Sequence, residues 1–84
     1  MRIHGVVQGV GFRYSARREA CSLSLSGWVR NLPDGCVEVE FEGDTQQLSQ
    51  FLDWCKHGPR GAQVDLVEML TPTDEPEYRC FVIR

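Results

Sequence analysis

A glycine-spaced loop that ends on an arginine is the part of this 84-residue chain best suited to chemistry: Val7-Gln8-Gly9-Val10-Gly11-Phe12-Arg13. Ile3, Val6 and Val7 lead into it with strand character. Tyr14-Ser15-Ala16-Arg17-Arg18-Glu19-Ala20 follows with no glycine or proline and with good helix formers. A strand, a glycine loop and a helix start carrying Arg13 in its first turn is the layout of an anion cradle. Glycine lets successive backbone N–H groups converge on one oxyanion, and a helix N-terminus adds unpaired donors and partial positive charge. Arg13 adds a permanently charged planar fork that matches two phosphate oxygens. The expected ligand is a phosphate. The spacing by itself is equally compatible with two turn glycines. No third glycine completes a dinucleotide fingerprint, and no Lys-Ser or Lys-Thr completes a nucleotide-triphosphate loop.

Other reactive side chains read more plainly. Cys21, Cys36, Cys55 and Cys80 are scattered, with no C-x-x-C pair and no histidine at ligand spacing, so they are expected to be small buried thiols of a reducing compartment. No metal site follows from them, and nothing in the sequence marks an activating partner for Cys21. His4 and His57 are lone histidines, the second beside an expected helix end where a cation is favoured. Glu38, Glu40 and Glu42 read as a solvated sheet face. Arg17 and Arg18 read as a solvated helix face, the alternative being that either adds positive field near the pocket. Tyr14 and Trp28 read as packing aromatics able to line the mouth of a pocket.

Composition narrows the class further. Apolar residues make up 42% and charged residues 25%, and the net charge is −3 with a pI near 5.2. That balance argues against nucleic-acid binding, which needs a basic field. No apolar run approaches a membrane span and no signal-peptide core opens the chain, so a cytoplasmic protein without membrane attachment is expected. Residues 1–84 are expected to form one domain, burying about 60–65% of the unfolded surface.

The elements that must position the loop can be read from periodicity. A first helix is expected from Arg13 to about Leu23, with Phe12, Ala16, Ala20 and Leu23 on one face. Gly27 to Asn31 has strand character, and Asp34-Gly35 signals a hairpin into a return strand in which Val37, Val39 and Phe41 alternate with the glutamates. Asp44 and Gln47 suggest a capping box for a second helix, whose Leu48, Phe51, Leu52 and Cys55 recur at helical spacing until Gly58-Pro59. Val64, Val67 and Met69 suggest a fourth strand, bulged because the alternation slips. Residues 71–77 read as a loop, and residues 78–84 as a last strand. The order βαββαβ fits an α+β, ferredoxin-like split βαβ sandwich, two helices on one antiparallel sheet. In that topology strands one and two run the same way. With strand three between them their axes lie about 10 Å apart. Arg13 and Asn31 then approach one small space from two sides, wide enough for a phosphate and a water.

Residues 5–13, Gly-Val-Val-Gln-Gly-Val-Gly-Phe-Arg, followed by residues 27–38, Gly-Trp-Val-Arg-Asn-Leu-Pro-Asp-Gly-Cys-Val-Glu, resemble the paired signatures of the acylphosphatase family. The likeness extends over essentially the whole chain, including Gly58-Pro59 and the closing Phe81-Val82-Ile83-Arg84. It implies a ferredoxin-like fold, no cofactor, and hydrolysis of the carboxyl–phosphate bond of a small-molecule acyl phosphate. It also implies that Arg13 binds the phosphate, that Asn31 orients the attacking water, and that Gln8, Gly9, Val10, Gly11 and Phe12 form the backbone cradle. Members of the family commonly begin further upstream, so the first strand is expected to be short and frayed at its start.

The absence of paired carboxylates, a nucleophilic serine or a metal cluster suits such a reaction. A carboxylate leaving group departs without protonation, so positioning and charge stabilisation suffice. Inorganic phosphate, the product, is expected to compete with substrate, and a monomer is expected. Two other readings remain open. One is a non-catalytic phosphate-binding module, like the acylphosphatase-like domain of a hydrogenase-maturation carbamoyltransferase, although the end of the chain at its last strand favours a free-standing enzyme. The other is a single-stranded RNA binder of the same element order, which the acidic balance and the glutamates disfavour.

Overall fold

Strict alternation makes Val37, Val39 and Phe41 one face of a strand and Glu38, Glu40 and Glu42 the other. A computed structural model, which describes residues 1–69 and 80–84, places that strand at the centre of the sheet. In chain order the elements are β1 (Arg2–Val6), α1 (Phe12–Ser22), β2 (Ser26–Asn31), β3 (Val37–Glu42), α2 (Thr45–Cys55), β4 (Gln63–Glu68) and β5 (Phe81–Ile83). The sheet order is β4-β1-β3-β2-β5. β1 and β2 both pair antiparallel with β3, so they run the same way on either side of it. The expected ferredoxin-like fold, two helices on a sheet, is present. The sheet is mixed, because β4 takes the edge beside β1 and β5 pairs parallel with β2 at the other edge. The loop expected over residues 71–77 and the start of the last strand lie outside the described residues.

The helices close over the apolar face. Phe12, Ala16 and Ala20 of α1 and Phe51 and Cys55 of α2 are buried against Ile3, Val29, Val37, Val39 and Phe81. Phe51 is the hub: its ring centroid lies 5.0 Å from that of Phe41, 5.7 Å from Phe81 and 6.0 Å from Trp54. Trp54 in turn lies 5.4 Å from Phe12, so the aromatic seam ends under the first turn of α1. Aromatic pairs at such spacings add about 0.5–1.5 kcal/mol each beyond area burial. On the opposite face Trp28 is flanked by the Arg30 and Arg84 guanidinium groups at 5.1 and 4.6 Å.

Several expectations are refined. The slipped alternation near Val64 is a bulge: His4 pairs with Leu66 and Gly5 with Val64, which leaves Asp65 extra on β4. Asp44 is the N-cap of α2, but the capping box with Gln47 is not formed, and the Gln47 side-chain oxygen is buried without a partner among the described residues. β1 is not frayed at its start. Met1 is 5% exposed, its ammonium donates to the Val39 carbonyl at 3.1 Å, and its carbonyl accepts from Val39 N at 2.9 Å. Only Cys36 and Cys55 are buried, whereas Cys21 and Cys80 are exposed at element ends, outside the helix–sheet interface. Glu38 is not simply solvated either; its carboxylate holds Arg30 at 2.6 Å.

Candidate active site

Residues 7–11 carry the chain from β1 into α1. Gly9 and Gly11 both sit at φ 75°, in the left-handed region. A Cβ at either position would meet nothing within 4 Å, so these glycines supply a backbone conformation rather than clearance. Gly11 is the N-cap of α1 and brings no side chain to it. The first helical bond runs from Ser15 N to Gly11 O at 3.0 Å, which leaves the N–H groups of residues 12–14 without intrahelical acceptors. No side chain caps this end and no acidic residue stands in the first turn. The donors and the positive end of the helix dipole are therefore free to face an anion. Arg13 stands exposed beside them with no ion pair or hydrogen bond among the described residues.

The hairpin between β2 and β3 forms the other wall. Leu32 N donates to Cys36 O at 2.8 Å, Gly35 N to Leu32 O at 3.2 Å, and Cys36 N to the Asp34 carboxylate at 3.0 Å. The last of these bonds, formed by the Cys36 backbone, holds the Asp34 carboxyl below its ordinary pKa. Gln8 ties loop to hairpin: its Nε2 donates to Leu32 O at 2.7 Å and to Cys36 O at 2.9 Å. Asn31, at the end of β2, thereby faces the glycine loop. Its Oδ1 is buried and has no hydrogen-bond partner among the described residues.

Between these walls lies a cavity of about 80 Å³ lined by Val7, Gly9, Gly11, Phe12, Arg13, Tyr14 and Asn31. One water needs on the order of 10–15 Å³ of such space, so the cavity suits a tetrahedral anion with a water. A larger hollow of about 420 Å³, between Met1, Phe41, Leu48 and Leu52, has no arginine or lysine in its lining and cannot match this convergence of donors. Of the residues singled out from sequence, Gly9, Gly11, Phe12, Arg13 and Asn31 come together here. Gln8 and Val10 do not line the cavity; Val10 packs against the core, and the Gln8 side chain is spent on the hairpin. Val7, which opens the loop and reads from sequence only as a strand residue, joins the lining as well.

The acylphosphatase family model matches residues 1–83. The chain belongs to the acylphosphatase family. An acylphosphatase of Synechococcus sp. (strain RCC307) is 55% identical over 67 residues, covering 80% of this chain and 57% of that relative, less than two thirds of its length. One from Acaryochloris marina is 50% identical over 84 residues, covering 96% of this chain and 86% of the relative. Among solved structures, the acylphosphatase from Bacillus subtilis superposes with a TM-score of 0.92 at 35% identity, covering 99% of this chain and 92% of that one. T. kodakarensis HypF contains a similar unit: TM-score 0.85, 31% identity, all of this chain but 12% of that one. Family and fold together support acyl phosphate hydrolysis, and so an enzyme of the hydrolase class.

Proposed function

We propose that this acylphosphatase-family chain hydrolyses the carboxyl–phosphate bond of acyl phosphates in the cavity between the residue 7–11 loop and Asn31. The observation that carries the reading is the convergence there of an uncapped helix N-terminus, an unpaired Arg13 and a buried, unpartnered Asn31 Oδ1. The N–H groups at the start of α1 and the Arg13 guanidinium take the non-bridging phosphoryl oxygens, and their hold strengthens as charge develops in the transition state. Asn31 Oδ1 accepts one O–H of a water and so aims its oxygen at phosphorus. The new P–O bond forms as the bond to the acyl oxygen breaks, and the electron pair leaves on the carboxylate. An amide cannot accept a proton here, so the water's proton passes to a phosphoryl oxygen of the substrate itself.

The test is hydrolysis of benzoyl phosphate and acetyl phosphate in excess chelator. Full turnover is expected, because Arg13 and the backbone N–H groups supply the positive charge. Inorganic phosphate and sulfate should both compete with substrate. Turnover that vanishes on chelation and returns with a divalent ion, or inhibition by both anions that is not competitive, overturns the reading. The likeness to a small part of HypF favours a second reading, a phosphate-holding module that does not turn over. Under it, phosphate binds but single-turnover hydrolysis is absent.

A further inference from the structure

Tyr14 stands at the edge of the cavity. Tyr14 is 69% exposed and also lines a second groove, of about 390 Å³, together with Ser15, Arg17, Arg18 and Cys21. Two of its lining side chains are cationic and none is acidic, on a chain whose net charge is −3. Neither Arg17 nor Arg18 forms an ion pair among the described residues, and the Arg17 guanidinium lies 5.1 Å from the centre of the Tyr14 ring. Arg17 follows Arg13 by four residues on α1, so it stands on the same helix face one turn further on, about 6 Å along the axis. A carboxylate two methylenes beyond the acyl carbon of an extended acyl phosphate lies roughly 6 Å from phosphorus, given bonds of about 1.5 Å.

We propose that Arg17 and Arg18 receive a second negative group on the acyl half of the substrate, so that the site favours dicarboxylic acyl phosphates over neutral ones. This rests on the reading of the cavity as the site of hydrolysis. The phosphoryl group occupies the cradle, the acyl chain runs over Tyr14, and its terminal carboxylate meets the guanidinium groups along the groove. The contact is to a part of the substrate that does not react, so it acts as ground-state and transition-state binding alike and shows in KM.

The experiment compares succinyl phosphate with benzoyl phosphate on the wild type, the double variant R17Q/R18Q, the charge-preserving R17K/R18K and R13A. Exposed ion pairs are individually weak, so R17Q/R18Q should raise KM for succinyl phosphate about fivefold while leaving kcat, and both constants for benzoyl phosphate, within about twofold. R17K/R18K should retain most of the wild-type preference, and added salt should reduce it. Equal changes on both substrates, or none on either, overturn the proposal. If benzoyl phosphate is not hydrolysed, or R13A still hydrolyses it at the wild-type rate, the underlying reading fails instead.

Discussion

Arg13 and Asn31 stand on different elements, and the proposed function gives them different tasks. In the proposed reaction the guanidinium takes the phosphoryl oxygens before and during bond breaking, whereas the amide acts on the water. Arg13→Ala should therefore weaken phosphate binding and also lower turnover. Asn31→Ala should lower turnover with phosphate affinity little changed. Loss of one preorganised donor costs about 2.7–4 kcal/mol in other enzymes, roughly a hundredfold or more in rate. Calorimetric phosphate affinity beside turnover on benzoyl phosphate separates the two effects, with a thermal melt to establish that Asn31→Ala is folded. Wild-type turnover from folded Asn31→Ala would reduce Asn31 to a turn residue, and its buried Oδ1 would need another explanation.

The candidate site is walled by the residue 7–11 loop and the β2–β3 hairpin, and Gln8 fastens one to the other. Its two bonds reach main-chain carbonyls that keep other donors, since Leu32 O also accepts from Gly35 N and Cys36 O from Leu32 N. Gln8→Ala should thus cost only about 1 kcal/mol of stability. Turnover should fall more, roughly tenfold, because a small displacement of the loop relative to Asn31 degrades alignment. A rate unchanged in folded Gln8→Ala would show that loop and hairpin hold their places without it. This tie was not legible in the sequence, because a glutamine side chain that binds main-chain carbonyls leaves no residue pattern at its target. The glycine loop, α1 and the Asp34-Gly35 hairpin were legible, because left-handed backbone and helical periodicity write themselves into residue type. The missing capping box at Asp44 shows the limit: the cap residue is right, but the Gln47 side chain turns inward. Asp34 adds a pH signature to the hairpin. Its carboxyl titrates below the ordinary value in the folded chain, so its stabilisation is present above the ordinary carboxylate range and is lost as pH falls through the lowered folded value. Thermal unfolding followed from about pH 5 to pH 2 should show this loss, and Asp34→Ala should remove that part of the slope.

At the scale of the whole molecule, the thiols report how evenly the fold is closed. Cys55, on the buried face of α2, has no exposure, and burial drives its thiol far above the usual range. Cys36 is 6% exposed on the opposite side of the sheet, its Sγ 3.1 Å from His4 Nδ1, while His4 Nε2 lies 3.1 Å from the Glu68 carboxylate. A carboxylate only accepts, so His4 Nε2 is the donor to Glu68, and in that neutral tautomer Nδ1 accepts the Cys36 S–H. Burial first, and the Asp34 carboxylate second, push that thiol up as well. Thiolate is the reactive form, so the native protein should react with a small disulfide reagent at exposed Cys21 and Cys80 only. Cys36 and Cys55 should label at the rate of global unfolding. The same burial has an alkaline consequence. The unfolded chain ionises Cys55 at the ordinary thiol value while the folded chain does not, so the unfolded state binds fewer protons and stability falls as pH rises past that value. Cys55→Ala should flatten the alkaline fall while costing stability at neutral pH through the cavity it leaves. Peptide mapping of the labelled protein beside melts at rising pH checks both halves. Rapid native labelling of Cys36 would show that burial does not protect this thiol.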